Sequence, residues 1–316
     1  MTRAQIAAVG AAIVAVAAII VAVSLLGRPA ADMPAGPAAA QQPGRPAPPE
    51  SFLGVYAAGV PDSYAGVTAF TAATGVRPNV VVYYSGWFEP FKASFAAAAA
   101  RHDAVPLVQI DPTDVSLAAI ASGHYDSYLR SYAAAVKAFG TQVILSFGHE
   151  MNGHWYSWGY RHTSPAVFVA AWRHIVTVFR AVGARHVTWL WTVNISGRHH
   201  NIPPPARWWP GNSYVSWVGI DGYYYKPSWT FASLFGPTIK AVRALTIDPI
   251  LIAETSVEPA AGKPAKIADL FAGVRAYGLL GFVWFNAKGD QDWSLSGTAA
   301  VGAFRRGAAA YREPAS

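Results

Sequence analysis

Ile144–Tyr160, with the sequence ILSFGHEMNGHWYSWGY, runs from a short apolar segment directly into a cluster of ionisable and aromatic side chains. An apolar run of this length, bounded by glycine, is typical of a buried strand. His149 and Glu150 follow it at once, so a carboxylate stands where the strand emerges into a loop. Trp155 and Trp158 come next and offer flat apolar rings beside that carboxylate. The stretch therefore predicts a strand whose carboxyl end carries a functional site.

Short β-rich runs follow one another from residue 52 onward and alternate with longer helical patterns. The runs are Phe52–Tyr56, Val80–Ser85, Val105–Asp111, Val143–Glu150, His186–Asn194, Val215–Tyr224, Pro249–Ser256 and Gly281–Asn286. The helical patterns include Pro90–His102, Tyr125–Phe139, Pro165–Val182, Phe231–Leu245, Pro264–Tyr277 and Thr298–Tyr311. Arg198–Asn212 is rich in proline, so we expect a loop or a short turn there in place of a helix.

This alternation predicts the α/β class and a (β/α)₈ TIM barrel over residues 51–316. Eight units fit the usual length of that barrel, which is about 250 residues. A doubly wound parallel sheet is the competing architecture. It is disfavoured because Gly54 and Gly59, near the first run, are isolated and form no glycine-rich phosphate loop.

The N-terminal region has two further segments. Ile6–Leu26 contains 21 residues without a charge, enough for a helix that crosses a bilayer. This is longer than the apolar core of about 7–15 residues in a cleaved signal peptide, which favours an uncleaved anchor, although cleavage near Ala38–Ala40 stays open. We assign residues 1–28 to a signal anchor or signal peptide, and residues 29–50, rich in Pro, Ala and Gln, to a flexible linker. The expected location is a bacterial cell membrane with the barrel outside the cytoplasm, or secretion.

Composition excludes several kinds of site. Cysteine is absent, which removes disulfides, thiolate metal sites and a cysteine nucleophile. The net charge is +7, but no basic run exceeds a pair such as Arg305 and Arg306, so nucleic-acid binding is not expected. The 12 tryptophans suit either core packing or stacking against sugar rings.

The ends of the predicted strands bring two carboxylates to one face of the barrel. The fourth run ends in Glu150 and the seventh contains Glu254, and the carboxyl ends of barrel strands form the active face. Paired carboxylates are what cleavage of a glycosidic bond requires, one as proton donor and one as nucleophile or base. The alternative is that each glutamate is only a salt-bridge partner.

Other strand ends supply candidate substrate contacts. These are His149, Asn152, Trp155, Trp158, Tyr223, Tyr224, Trp284, Trp87, Asp111 and Asn194. A tyrosine at the end of the sixth strand is positioned to hydrogen-bond Glu254 and keep it ionised. We expect the tryptophans of this set to form sugar platforms, with core packing as the alternative. Asp221 is open between a role in the site and hydrogen bonding to backbone amides at the rim.

Metal and serine chemistry find little support. His149 and His154 are five residues apart, which differs from the H-E-x-x-H spacing of zinc enzymes. Asp290 and Asp292 are too few for a calcium loop. No G-x-S-x-G nucleophile motif occurs. We therefore expect no metal.

Several stretches together resemble glycoside hydrolase family 26, the retaining (β/α)₈ enzymes best known as endo-β-1,4-mannanases. The resemblance covers about Phe52–Tyr311. Its most specific parts, in chain order, are GHEMNGHWYSWG, AVFVAAWRHIVTVFRAVGARHVTWLWTVN, WWPGNSYVSWVGIDGYYY, PILIAETS and GFVWFNAKGDQDW.

The resemblance implies roles for individual residues. Glu150 matches the family's acid/base and Glu254 its nucleophile. His149 matches the histidine before the acid/base. The family's loop neighbours match Asn152 and Trp155, and the tyrosine beside the nucleophile matches Tyr223 or Tyr224. No cofactor is implied.

One departure leaves the sugar open. Ile110-Asp111-Pro112 stands where the family resemblance leads us to expect Trp-Glu-Pro. The family also includes enzymes acting on mixed-linkage β-glucan and β-1,3-xylan, so the chemistry transfers better than the substrate.

The resulting expectation is a retaining glycoside hydrolase that cleaves β-linked polysaccharide, foremost an endo-β-1,4-mannanase, by a two-glutamate double displacement. That mechanism implies carboxyl groups about 5–5.5 Å apart. The alternatives are a β-glucanase, a β-xylanase or an envelope-exopolysaccharide hydrolase of the same fold, or a non-catalytic carbohydrate-binding barrel. Endo or exo action and oligomeric state stay open.

Overall fold

Short strands rich in β-branched residues build the centre of the fold. The computed structural model describes residues 51–196, 202–289 and 291–312, and within them eight parallel strands close into one barrel. The strands are β1 Phe52–Ala57, β2 Val80–Gly86, β3 Val105–Asp111, β4 Val143–Phe147, β5 Val187–Asn194, β6 Trp217–Asp221, β7 Ile250–Thr255 and β8 Gly281–Asn286. They pair in chain order and β8 pairs with β1, which confirms the predicted (β/α)₈ barrel.

Helices follow the strands and pack on the outside of the barrel. They are α1 Ala65–Thr74, α2 Ala93–Arg101, α3 Leu117–Ala121, α4 Asp126–Phe139, α5 Pro165–Val182, α6 Phe231–Leu234, α7 Gly236–Arg243, α8 Lys263–Ala276 and α9 Thr298–Arg312. The longest, α5, shows why its bounds were predicted correctly. The Ser164 side chain accepts a hydrogen bond from Val167 N, Pro165 opens the first turn, and Gly183 ends the helix with a φ of 82°.

Strand alternation divides the apolar residues into two layers. Inward side chains form a small cluster that fills the barrel: Phe52, Val80, Val82, Leu107, Ile144, Leu190, Trp217, Leu251, Ala253 and Val283. Outward side chains join the larger core between strands and helices. Nearer the carboxyl end the interior becomes polar, where the hydroxyls of Ser146 and Thr192 lie 3.0 Å apart. Apolar side chains therefore fill the lower part of the barrel, and the carboxyl end, which carries the site, is polar.

Three strands end earlier than predicted, β7 by the single residue Ser256 and the other two by three residues each. β4 stops at Phe147 instead of Glu150 because Gly148 and Glu150 have φ values of 53° and 55°, outside the strand region. Hydrogen bonding nevertheless continues, with Glu150 N donating to Thr192 O at 2.9 Å. β6 stops at Asp221 instead of Tyr224.

The helices differ from prediction in three places. α1 and α3 were not predicted, and Phe231–Leu245 breaks into α6 and α7 around Phe235. The proline-rich segment Arg198–Asn212 contains the short 3₁₀ helix Pro205–Trp208, and a second, Asn212–Tyr214, begins at its end, as expected for a poor helix former; residues 197–201 lie outside the described residues.

The predicted membrane segment Ile6–Leu26 and the linker 29–50 also lie outside the described residues. All described residues belong to one compact unit, Pro48–Ser316. Within that part of the chain, α5 is the one helix long and apolar enough to cross a membrane. It buries Phe168, Trp172 and Ile175 in the core, so it is a packed helix of the barrel.

Candidate active site

Glu150 lies just beyond β4 and is 7% exposed. Two donors fix its carboxyl group: Trp155 Nε1 donates to Oε2 at 2.7 Å, and Asn194 Nδ2 donates to Oε1 at 2.5 Å. Burial raises the pKa of Glu150 to about 7, with the charge of Glu254 acting in the same direction and His149 and the two donors opposing it. A carboxyl group that holds its proton near neutral pH is suited to general acid catalysis.

Glu254, in β7, has a different environment. Tyr223 donates to its Oε1 and Tyr84 donates to its Oε2. Burial, followed by the charge of Glu254, raises the pKa of both phenols well above the ordinary value, so they remain protonated donors. Two O–H donors suit an ionised carboxylate, which only accepts hydrogen bonds. The contact with Tyr223 confirms the tyrosine predicted at the end of the sixth strand.

A bulge in β7 aims Glu254 into the site. Ile220 of β6 pairs with Ile252, whereas Asp221 pairs with Glu254, so the register shifts across Ala253. Strict alternation from the inward Leu251 would place Ala253 inward and Glu254 outward. The extra residue reverses that alternation, as bulges beside active sites commonly do. Glu150 and Glu254 consequently lie close enough for the charge of Glu254 to affect the pKa of Glu150.

His149 connects β3 to the loop after β4. Its Nδ1 lies 2.9 Å from Asp111 Oδ1, and its Nε2 lies 3.2 Å from Tyr156 Oη. Burial lowers the pKa of His149, but the charges of Asp111, Glu150 and Glu254 outweigh it and raise the pKa to about 9. The ring is therefore an imidazolium at neutral pH, placed between Asp111 and the two glutamates.

Asp221 adds a fourth carboxyl group beneath the site. It is fully buried, and neither carboxyl oxygen has a hydrogen-bond partner in the described part of the chain. Burial raises the pKa of Asp221 well above the ordinary value, and the charges of Glu254 and Glu150 add to the shift, so the site favours its protonated form. The alternative that Asp221 bonds rim amides is wrong for this side chain.

Asn152, in the loop after β4, is hydrogen-bonded to the backbone of Asn194, the last residue of β5. Asn152 Nδ2 donates to Asn194 O and Asn152 Oδ1 accepts from Asn194 N, both at 2.8 Å. The Asn152 side chain is fully buried, so it holds Asn194 in place. Asn194 in turn donates a hydrogen bond to Glu150. Asn152 therefore affects the site indirectly, by positioning Asn194.

The expected sugar platforms need correction. Trp284 is completely buried, Trp158 is 2% exposed and Trp87 is 6% exposed, so none of these rings has a face open to a sugar. Trp158 instead donates to His149 O at 2.8 Å. Trp155 is half-buried beside Glu150 and retains the predicted placement.

Tyr224 also needs correction, because it lies in the core and its hydroxyl donates to Asp269 Oδ2 at 3.1 Å, away from Glu254. Of the two tyrosines predicted beside Glu254, Tyr223 takes that place.

Phe285 lies at the site but was not among the residues predicted from the sequence. It follows the buried Trp284 in β8, and alternation turns it inward, where it stacks on Tyr56 with ring centroids 4.7 Å apart and lies 6.1 Å from Tyr223. Tyr84 and Tyr156 were missed as well. Alternation along β2 and β8 was the signal available for Tyr84 and Phe285.

Within the described residues, no group of three or more His, Asp or Glu side chains is arranged to hold a metal ion. The site thus combines a buried carboxyl group of raised pKa, a second carboxyl group that accepts hydrogen bonds from two phenols, and a histidine of raised pKa beside them.

The family follows from comparison of this chain with known proteins. The family profile described as Glycosyl hydrolase family 26 matches residues 126–295, just over half of the chain, a range that contains both glutamates. This chain belongs to glycosyl hydrolase family 26.

Two curated relatives and one solved structure are similar to this family 26 chain. Endoglucanase H of Acetivibrio thermocellus is 28% identical over 264 residues, which cover 78% of this chain and 29% of the relative. Beta-1,3-xylanase TXYA of a Vibrio species is 24% identical over 176 residues, covering 51% of this chain and 36% of the relative. This chain thus spans about a third of the length of each.

The solved catalytic domain of the GH26 endo-β-1,4-mannanase from Bacillus sp. JAMB-750 has the same fold. Its TM-score is 0.66 at 15% identity, and the match covers 83% of this chain and 86% of that one. At this identity the likeness concerns the barrel alone.

Proposed function

We propose that this chain is a retaining β-glycanase in which Glu150 is the general acid/base and Glu254 the nucleophile. The observation that carries the proposal is the difference between the two carboxyl groups. Glu150 is buried with a pKa of about 7, whereas both oxygens of Glu254 accept hydrogen bonds from phenols. One group is thus suited to give a proton and the other to act as an anion.

The reaction then proceeds in two displacements. Glu150 gives its proton to the glycosidic oxygen while a Glu254 oxygen attacks the anomeric carbon, so the bond to the leaving sugar breaks and a glycosyl ester forms. Glu150, now a carboxylate, takes a proton from water, which attacks the anomeric carbon and releases Glu254. Retention of configuration requires carboxyl groups about 5–5.5 Å apart.

β-1,4-Mannan is the proposed first substrate, in line with the motifs of the family resemblance. The names of the relatives favour testing mixed-linkage β-glucan and β-1,3-xylan alongside it, since one is an endoglucanase and the other a β-1,3-xylanase. Asp111, at the end of β3, contacts His149 beside the glutamates, so it is the residue whose change from the family pattern bears on the sugar.

The test is hydrolysis of these three glycans by the purified full-length chain and its variants. Glu150→Gln and Glu254→Gln preserve shape and remove the carboxylate, and each is expected to lower kcat by at least about 100-fold. Proton NMR of the fresh product is expected to show the β-anomer first. Glu258→Gln, four residues beyond Glu254 at the start of a 3₁₀ helix, is the matched control and keeps activity.

Full activity of either folded glutamine variant would refute the assigned roles. A first product in the α configuration would refute retention. Glycan binding without any turnover by the wild-type chain would favour the carbohydrate-binding alternative.

We also propose an extracytoplasmic location, with Ile6–Leu26 as membrane anchor and residues 29–50 as tether. Such a location brings the cell's own envelope polysaccharide within reach, as well as nutrient glycans.

A further inference from the structure

A tight turn after β2 presents Phe88 at the catalytic end of the barrel. Glu89 N donates to Gly86 O at 3.0 Å, which closes a four-residue turn, and Phe88 occupies its third position with a φ of 71°. A turn with positive φ at that position normally takes glycine. A phenylalanine there is a conformational outlier, and such strain persists where the surroundings impose it and where function uses it.

The Phe88 ring stands open although it is held in place. It is 59% exposed, the largest exposed aromatic fraction in the described residues. Tyr125 and Tyr128 meet it nearly perpendicularly, with ring centroids 5.5 and 5.4 Å away and interplanar angles of 77° and 67°. These contacts orient the ring and leave more than half of its surface free. An oriented, exposed aromatic surface is suited to stacking on the apolar face of a sugar.

The turn is anchored to the barrel wall. Tyr128 Oη donates to Glu89 O at 3.1 Å. The buried Trp87 packs against Tyr128 at 5.0 Å and against Phe147 of β4 at 6.1 Å between ring centroids. The ring of Phe88 is therefore fixed relative to the strand that leads to Glu150. A preorganised ring binds without the entropy cost of ordering a loop.

The position of Phe88 extends the candidate active site toward the rim of the barrel. Phe88 lies four residues after Tyr84, which bonds Glu254, and both lie at the carboxyl end of β2. Tyr125 directly precedes α4, and a helix that follows a barrel strand begins at the carboxyl end of the strands. The carboxyl end of β2 therefore connects Phe88 to Glu254 through Tyr84.

We propose that Phe88, supported by Tyr125 and Tyr128, is a stacking platform for a sugar ring of the same glycan, distant from the bond that is cleaved. Trp87 was a predicted platform, but the turn buries it and the neighbouring Phe88 takes the exposed position. This inference rests on the proposed glycanase function and deepens it, because it makes long glycans better substrates than short ones.

The test compares Phe88→Gly, Phe88→Trp and the control Ile247→Ala in the full-length chain. Glycine relieves the positive φ, so Phe88→Gly removes the ring without threatening the fold. Ile247 is 95% exposed on the loop before β7, at the opposite end of the barrel. Kinetics are measured on the hexasaccharide and the trisaccharide of whichever glycan the wild type cleaves: β-1,4-mannan, mixed-linkage β-glucan or β-1,3-xylan. Retardation in native gels containing each polysaccharide measures binding without turnover.

Phe88→Gly is expected to lower kcat/KM for the hexasaccharide roughly tenfold, mainly through KM, as expected for loss of one aromatic stacking contact. The trisaccharide values stay unchanged, Phe88→Trp keeps activity, and gel retardation by the polysaccharide falls only for Phe88→Gly. Ile247→Ala behaves as wild type in every assay.

Four results would overturn the platform, the last of which concerns the wild type. The first is an unchanged hexasaccharide KM together with unchanged retardation, and the second is an equal loss on both oligosaccharides. The third is a change of oligomeric state in place of glycan binding, which would assign the ring to a contact between copies. If the wild type binds a glycan through Phe88 but cleaves none, the proposed function fails and the platform stands. The fourth result is that no glycan retards the wild type, in which case the platform fails.

Discussion

At the scale of single residues, the two glutamates differ in the groups that hold them. An indole and an amide donate to Glu150, while two phenols donate to Glu254. Burial dominates the behaviour of Glu150, whose pKa is raised to about 7. Since the same side chain receives two different environments, roles follow from surroundings and not from residue type.

Asp111 is expected to tune Glu150 through His149. Asp111→Asn removes the charge that holds His149 as an imidazolium, and loss of that cation raises the pKa of Glu150 further above its present value of about 7. The alkaline limb of the kcat/KM profile, where Glu150 loses its proton, then moves to higher pH. A lost hydrogen bond to a charged group is worth about 1.5–3 kcal/mol, so kcat/KM is expected to fall roughly ten- to hundredfold.

The measurement is kcat/KM between pH 4 and pH 10 for wild type, Asp111→Asn and the control Asp114→Asn. Asp114 is exposed three residues further along. His149 is also faced by Tyr156, Tyr84, Trp158 and Glu254, all unchanged in both variants. A lower rate with an unshifted profile would show that Asp111 only shapes the loop.

Asp221 is expected to destabilise the folded protein at neutral pH. Its pKa is raised by burial and by Glu254 and Glu150, so between the unfolded value near 4 and the folded value the folded state binds a proton that the unfolded state lacks. Stability contributed by this group is present below pH 4 and is lost as the pH rises. Each unit of pKa difference corresponds to about 1.4 kcal/mol.

Asp221→Asn removes this dependence. The variant is expected to be more stable than wild type toward urea at pH 7–8, with the difference disappearing near pH 4. Asp62→Asn, at an exposed position, is the control and follows wild type. Equal destabilisation by Asp221→Asn at every pH would mean that Asp221 is an ionised, paired carboxylate.

Side chains could be placed from the sequence where their position depends only on the end of one strand. Glu150, His149, Asn194 and Tyr223 lie at the site as expected. The positions predicted for the tryptophans were wrong because the sequence does not reveal which face of a strand packs against the helices. Trp284 and Phe285 are adjacent, and only the inward phase of β8 selects Phe285.

At the scale of elements, the closure between β8 and β1 depends on one glycine. Gly281 pairs with Phe52 and has a φ of 144°. A Cβ at this position would lie 1.9 Å from Phe52 O, a backbone atom that cannot move away without breaking the pairing. Gly281→Ala is therefore expected to cost about 4 kcal/mol or more, among the largest effects of single substitutions.

Gly278→Ala is the matched control for this closure. It also has a positive φ, 60°, but a Cβ there meets nothing within 4 Å. Its expected cost is the backbone strain alone, about 1–2 kcal/mol. Urea unfolding of both variants separates the clash from the strain. Equal stability of the two alanine variants would contradict the closure argument.

The strands were predictable because segments containing glycine or proline separate the apolar runs. All eight predicted runs contain the observed strands of the described chain, apart from the extra residue at the end of β1 and of β2. The β7 bulge was not predictable, since the run PILIAETS has no glycine or break to mark it. The short α3 was missed because five residues carry too little periodicity to stand out.

At the scale of the whole molecule, the residues that stabilise the barrel are separate from those that form the candidate active site. Apolar side chains fill its interior, while the carboxyl, imidazole and phenol groups gather beyond the strand ends. Phe88 lies outside these groups, on the rim that follows β2.

The N-terminal segment is expected to tether this barrel to a membrane. Ile6–Leu26 is long enough to span a bilayer, so the full-length chain expressed in bacteria should sediment with membranes and resist extraction by carbonate. Val16→Arg places a charge at the centre of the segment, at a cost of about 2.5–3.5 kcal/mol on insertion scales, and should shift the protein toward the soluble fraction. Ala39→Arg, in the linker, is the control and should leave membrane association unchanged. Intact mass decides between anchor and cleaved signal, because a mature chain that begins near residue 40 and leaves the membrane would exclude the anchor.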